Sequence, residues 1–115
     1  MELELTGDEW GRDPSVQAFR RIFGRMEEAQ FRFLEKLNLS PIDPRLRKWR
    51  EQARYLFEGA CREADRMGIF LDEDRMASLY VRCLQNRLER SGLEVPEECL
   101  SPDPDVEKLV RKVAP

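Results

Sequence analysis

The sequence predicts an all-α fold, an up-down-up three-helix bundle followed by a short fourth helix. Apolar residues recur every three or four positions through three long stretches, which is the period of an amphipathic helix. Asp-Pro pairs at 13–14, 43–44 and 103–104 each precede such a stretch, and Asp caps a helix N-terminus while Pro fits its first position. The connections between the long stretches are short, so we expect consecutive helices to pack as antiparallel neighbours.

The first predicted helix spans 14–37 and ends near Asn38, because Ser40-Pro41 prevents its continuation. Its apolar stripe is broad and comprises Val16, Phe19, Ile22, Phe23, Met26, Ala29, Phe33, Leu34 and Leu37. A stripe of this width predicts contacts with two neighbouring elements. Residues 1–13 form an acidic N-terminal arm, which either lies along the bundle or is loose.

The second predicted helix spans 44–67 and stops at Gly68, a residue suited to the left-handed conformation that closes a helix. Its apolar face contains Ala53, Ala60 and Ala64, so we expect the aromatic face of the first helix to approach it closely. The third predicted helix, 73–91, starts after Asp72 and ends at Ser91-Gly92.

A short fourth helix is predicted over 105–113, after an acidic, Pro-rich linker at 92–104. Its apolar side carries Val106, Leu109, Val110 and Val113, which pack either on the bundle or on another chain. All 115 residues therefore fit one helical domain.

Composition argues against catalysis. The chain has no histidine, no Gly-rich phosphate loop and no metal-ligand spacing, so we expect no enzymatic activity, no cofactor and no metal. A thiol enzyme using Cys83, one turn before Arg87, is the weakest of the hypotheses. Three dispersed cysteines fit a reducing compartment, and no run is apolar enough for export or a membrane span; we expect a cytoplasmic protein.

Apolar residues outside the core stripes suggest a binding surface. Phe31 lies at the edge of the first stripe, Tyr55 on the back of the second helix, and Ile69-Phe70 in the second connection. Aromatic residues beside arginines are typical of protein interfaces. We therefore expect a helical protein–protein interaction or assembly protein, either a homodimer or a subunit of a larger complex. The structural alternative is that Ile69 and Phe70 complete a helix cap and that Tyr55 is an ordinary exposed tyrosine.

Arg87 falls inside the apolar arc of the third helix. We expect it to pair with a loop acid such as Glu94, Glu97 or Glu98, or else to anchor a partner or an anionic ligand.

The alternative function is nucleic-acid binding through the basic start of the second helix, by Arg45, Arg47, Lys48, Arg50 and Arg54. Arg47, Arg50 and Arg54 share one side of that helix. Acids one turn away, at Glu51 and Glu58, can neutralise this ridge, and the net charge of −3 gives it no general support.

Overall fold

The computed structural model describes residues 14–96 and 103–114, which form four α-helices and no strand. They are α1 (Pro14–Lys36), α2 (Pro44–Met67), α3 (Glu73–Arg90) and α4 (Pro104–Val113). The predicted all-α class is confirmed. The predicted arm at 1–13, Cys99 and the two linker acids Glu97 and Glu98 lie outside the described residues.

The helices begin where the capping signals predict. The Asp43 carboxylate accepts from the Arg45 N–H at 2.9 Å, and the Asp72 carboxylate accepts from the Arg75 N–H at 2.8 Å. The Asp103 carboxylate accepts from the backbone of α4 in the same way. Each bond satisfies an N–H that would otherwise lack a partner in the first helical turn.

The end of α2 depends on Gly68, whose φ of 71° lies in the left-handed region. This turn lets the Ile69 N–H donate to the Ala64 carbonyl at 2.9 Å, which satisfies one of the last carbonyls of the helix. The end of α1 uses Asn38 at φ 55°, because Asn tolerates this region better than most residues with a Cβ.

The central element is α3, which packs against α1, α2 and α4. The second helix also packs against α4, whereas α1 and α2 make no comparable contact. The close approach expected between the aromatic face of α1 and the alanines of α2 is therefore wrong. Those alanines are buried in a core that α2 shares with α3 and α4, and Val113 of α4 comes within 3.6 Å of the Cβ position at Gly59.

The fourth helix packs on its own chain. Val106, Leu109 and Val110 are completely or almost completely buried, and they join the single core cluster with residues of the other three helices. Arg82 of α3 donates to Glu107 at 2.7 Å and adds a half-buried ion pair to this contact. The fourth helix therefore covers the side of α2 and α3 that faces away from α1.

The apolar stripe of α1 is buried only in its second half. Phe33 and Leu34 belong to the core, but Phe19 is 67% exposed and Phe23 is 44% exposed. Within the described chain, the second neighbour that the width of the stripe predicts is therefore missing along its first half. The stripe is wide enough for two neighbours, and of the other three described helices only α3 packs closely against it.

Among the described residues, no helix is long and apolar enough to span a membrane.

Candidate functional site: a groove between α1 and α2

An open groove of about 480 Å³ separates the first half of α1 from α2, with α3 as its floor. Most of its surface is apolar, and the apolar side chains that line it are Phe19, Ile22, Phe23, Met26, Phe57, Cys61, Met76 and Tyr80. We call this surface the α1–α2 groove. It exists because α2 turns towards α3 and α4, which leaves the wide stripe of α1 without a second neighbour.

One aromatic pair lies on the α1 wall of the groove, and a second joins the α2 wall to the α3 floor. Phe19 and Phe23, one turn apart on α1, stack with ring centroids 6.0 Å apart and an interplanar angle of 14°. Phe57 of α2 meets Tyr80 of α3 edge to face, with centroids 5.9 Å apart. Rings held by such contacts present large apolar areas with little remaining rotamer freedom, which favours binding.

A polar cluster lies at the inner end of the groove. The Gln30 side chain is buried, and its amide and the Tyr80 hydroxyl are 2.8 Å apart. With the amide oxygen turned towards Arg50, Gln30 accepts from the guanidinium Nε at 3.0 Å and donates to the Tyr80 hydroxyl. Burial raises the pKa of Tyr80, and the nearby Arg50 partly opposes this shift. The cluster therefore links α1, α2 and α3 through neutral and cationic groups.

Charged side chains of both signs surround the groove, namely Glu27, Arg50, Glu51, Arg54 and Glu58. Such a mixed rim does not select a strongly charged ligand. It matches the usual anatomy of a protein interface, in which a rim of polar side chains encloses an apolar centre.

Ion pairs on the other flank hold the first half of α1 against α3. Arg21 pairs with Glu73, and Arg25 pairs with Glu73 and Asp74. These pairs are largely exposed, and each contributes about 0–1 kcal/mol. They account for the acids at the start of α3, and no cluster of metal-binding side chains occurs in residues 14–96 or 103–114.

The sequence-predicted interface residues are not brought together in this groove. Phe31, Tyr55 and Phe70 are exposed as expected, the last two at 75% and 79%, but none of them lines it. Ile69 is half-buried and packs against the core, in agreement with its role at the end of α2. The structure thus places Phe31, Tyr55 and Phe70 outside the groove, and their part in an interface stays a prediction.

Arg87 binds Gln52, which is not among the partners expected from the sequence. Its Nε donates to the Gln52 side-chain oxygen of α2 at 3.1 Å. Arg87 and Gln52 are both half-buried, so the contact joins α3 to α2 inside the fold. Of the three loop acids expected as partners, Glu97 and Glu98 lie outside the described residues.

The basic start of α2 is divided among several partners. Arg45 pairs with Asp43 at 2.8 Å and lies over the Trp49 ring at 5.2 Å, and Arg47 is 3.7 Å from Glu51. The hydrogen bond from Arg45 lowers the pKa of Asp43.

The expected common side of this ridge is also interrupted. Arg50 is half-buried against Gln30, and both Arg50 and Arg54 line the α1–α2 groove. Lys48 is exposed. The five residues thus do not present one continuous ridge for a phosphate backbone.

The two described cysteines are free thiols in different settings. Cys83 is completely buried, and desolvation raises its pKa to about 12, which opposes the thiolate that a nucleophile needs. Cys61 is half-buried in the groove wall. Its pKa is raised by desolvation and by the neighbouring Asp65 and Glu58.

The sequence pattern places the α1 residues of the groove on a core stripe and does not predict the groove. Phe19, Phe23 and Met26 follow the core period, so periodicity alone cannot separate a buried stripe from an uncovered one. The signal that could have found them is the width of the stripe, which needs a second neighbour.

No family model matches the chain, and neither a curated protein nor a solved structure shows significant similarity to it.

Proposed function

We propose that this protein is a helical interaction protein that binds a protein helix in the α1–α2 groove and performs no catalysis. The observation that carries the proposal is the exposure of Phe19 and Phe23 on an ordered helix that faces an open apolar groove. Contiguous apolar surface of this kind is typical of interaction sites.

A helix is the occupant that suits the shape of the groove. Two helices form its walls and a third forms its floor, so an added helix would complete a four-helix arrangement. Amphipathic helices commonly bind in such grooves through apolar residues spaced three or four positions apart. The mixed charges at the rim supply polar contacts around this apolar centre.

The cross-helix pairs support the predicted up-down-up order as the frame of this groove. They are Arg21–Glu73, Gln30–Tyr80, Phe57–Tyr80 and Gln52–Arg87. In the pairs between α1 and α3, the residue numbers of both helices increase together, as they do in parallel helices. In the pairs between α2 and α3, one residue number increases while the other decreases, as in antiparallel helices. Because α1 and α2 then run in opposite directions, an added helix would be parallel to one wall of the groove and antiparallel to the other.

Nucleic-acid binding receives less support. Arg45, Arg47 and Arg50 each have an acidic or amide partner within the chain, and a phosphate backbone would have to displace those partners. The free, buried thiol of Cys83 and the half-buried thiol of Cys61 suit a reducing compartment, which supports a cytoplasmic location.

Photo-crosslinking from inside the groove tests the proposal. A photoreactive phenylalanine would replace Phe23 in the full chain, expressed in the cells from which the protein comes. The matched control carries the same group at Tyr55, which is exposed on α2 but does not line the groove. Both variants would be checked for native helicity by circular dichroism before use.

We expect irradiation to yield a defined protein adduct from position 23 and none from position 55. Mass spectrometry of the adduct would identify the crosslinked protein and the helix within it. Equal labelling from both positions, or no adduct from position 23, would refute binding in the groove.

A further inference from the structure

We propose that the helix bound in the α1–α2 groove carries a carboxylate at one end of its apolar stripe, and that Arg50 and Arg54 of α2 bind this carboxylate. This inference rests on the proposed function, because it states the chemistry of the partner helix. It adds a charged anchor at the inner end of the groove to the apolar contacts along the rest of it.

The groove changes from apolar to cationic along its length. Phe19 and Phe23 line its outer end on α1. Gln30, two turns after Phe23, lies at the inner end and accepts from the Arg50 guanidinium. Arg54 follows Arg50 by one turn on α2 and also lines the groove. A helix that fills the groove therefore meets aromatic rings at one end and two guanidiniums at the other.

The two guanidiniums converge on Tyr80. Burial raises the pKa of Tyr80, and the charges of Arg50 and Arg54 both oppose this shift, which requires both guanidiniums to lie near the phenol. Two cations that converge on one partly buried place repel each other. A carboxylate between them would replace this repulsion with attraction.

No described acid neutralises these two charges. Arg54 is exposed and forms no ion pair with any residue that the structure describes. Arg50 is half-buried, and its hydrogen-bond partners in the described chain are the neutral side chains of the polar cluster. Glu51, the acid next to Arg50 in the sequence, pairs with Arg47, which does not line the groove. A carboxylate of a partner helix can therefore bind here without displacing an acid of the chain, and arginine binds carboxylates through paired N–H donors.

The acids of the rim limit the partner to one such carboxylate. Glu27 of α1 lies one turn before Gln30, and Glu58 of α2 lies one turn after Arg54; both acids line the groove and are exposed. A second acid of the partner beside them would be repelled, whereas a neutral or basic residue would not. The groove therefore fits an apolar stripe that ends in a single Asp or Glu, and not a helix that is acidic along its length.

Selection from a library of helical peptides tests this inference on the full chain. The probe is a displayed peptide with leucines at positions i, i+3, i+4 and i+7 and with randomised residues in the turns beyond either end of this stripe. We expect the binders to be enriched in Asp or Glu at one randomised position, and Arg54→Gln should abolish this enrichment. The matched control is Arg62→Gln, which removes the same charge from exposed α2 surface outside the groove and should leave the enrichment unchanged.

Fluorescence anisotropy of one selected peptide measures the size of the effect. Replacement of its acid by Gln should raise the dissociation constant for the wild-type chain about tenfold, but for the Arg54→Gln chain by less than about twofold. The Arg54→Glu chain should instead prefer the peptide that carries Lys at that position. Because Arg54 is exposed, Arg54→Gln should leave the urea midpoint of the chain unchanged, which separates a binding role from a structural one.

Binders that show no preference for an acid, or a preference that Arg54→Gln does not change, would overturn the inference. If Phe23→Ala abolishes the binding of such peptides, the proposed function still stands. A photo-crosslink from position 23 to a helix without an acid at this place, in another protein or in a second copy of this chain, would also overturn the inference alone. If the library yields no peptide that binds through Phe23, and position 23 crosslinks to no protein, both fail.

Discussion

Phe19 and Phe33 occupy the same stripe of α1, yet the structure predicts very different energetic roles for them. Phe33 is 3% exposed in the core, whereas Phe19 retains 67% of its exposure beside the open groove. In a single chain, truncation of Phe33 to alanine should lower the free energy of unfolding by about 3–5 kcal/mol, since it removes buried surface and leaves a cavity. Complete burial of a Phe side chain contributes about 1.5–3 kcal/mol, so the one-third buried on Phe19 should contribute only about 0.5–1 kcal/mol.

The assay is urea unfolding followed by circular dichroism, at a concentration where light scattering shows a monomer. Phe70→Ala serves as the control, because Phe70 is 79% exposed in the connection after α2 and its truncation should change the free energy of unfolding by less than about 0.5 kcal/mol. If Phe19→Ala were as destabilising as Phe33→Ala, the first half of α1 would be closed against the core. The groove would then not exist in the single chain.

Four further experiments test the polar cluster of the groove and the core beneath it. Tyr80→Phe should lower the free energy of unfolding by about 1–3 kcal/mol in thermal or urea unfolding, because it leaves the buried Gln30 amide without its hydroxyl partner; no loss would contradict the polar cluster. Leu109→Ala should cost about 2–5 kcal/mol in the same assay, whereas a cost below about 1 kcal/mol would mean that α4 is not part of the core. A thiol reagent at pH 8 should modify Cys61 much faster than Cys83. The pKa of Cys83 is about 12, so at this pH it holds roughly a thousandfold less thiolate than a cysteine with the ordinary pKa of 9.0. Equal rates of modification would contradict the burial of Cys83. The raised pKa of Cys83 keeps its thiol neutral in the folded state. The stability that this neutral thiol contributes is complete below pH 9.0 and is lost as pH rises towards about 12. Cys83→Ala should therefore flatten the decline of the free energy of unfolding over this pH range.

The helices could be predicted from the sequence because their signals are local. Asp43, Asp72 and Asp103 each satisfy backbone N–H groups within three residues, and Gly68 closes α2 through its own left-handed turn. The third predicted helix ends one residue later than α3, and the fourth begins one residue after Pro104, where terminal residues are ambiguous in any case.

The packing partners could not be predicted in the same way. The alanines of α2 indicated a close approach by another helix, but the sequence does not say which helix approaches. The fourth helix, with Val106 and Leu109 buried, packs on α2 and α3, while α1 packs closely on α3 alone. The groove follows from this choice of partners, and the choice depends on contacts between residues far apart in the chain.

Arg87 shows the same limit at the level of one side chain. Its place in an apolar arc correctly indicated that it needs a polar partner. Among the described residues its partner is Gln52, a neutral residue 35 positions away, and not the expected loop acid Glu94. Long-range hydrogen bonds of this kind require the relative placement of two helices, which periodicity does not supply.

Aromatic and methyl NMR with a soluble paramagnetic agent would test the central claim most directly, because it shows which side chains of the single chain meet solvent. The account predicts strong line broadening for Phe19 and Phe23 in the groove and none for Leu109 in the core. Broadening of Phe19 and Phe23 as weak as that of Leu109 would contradict an open α1–α2 groove.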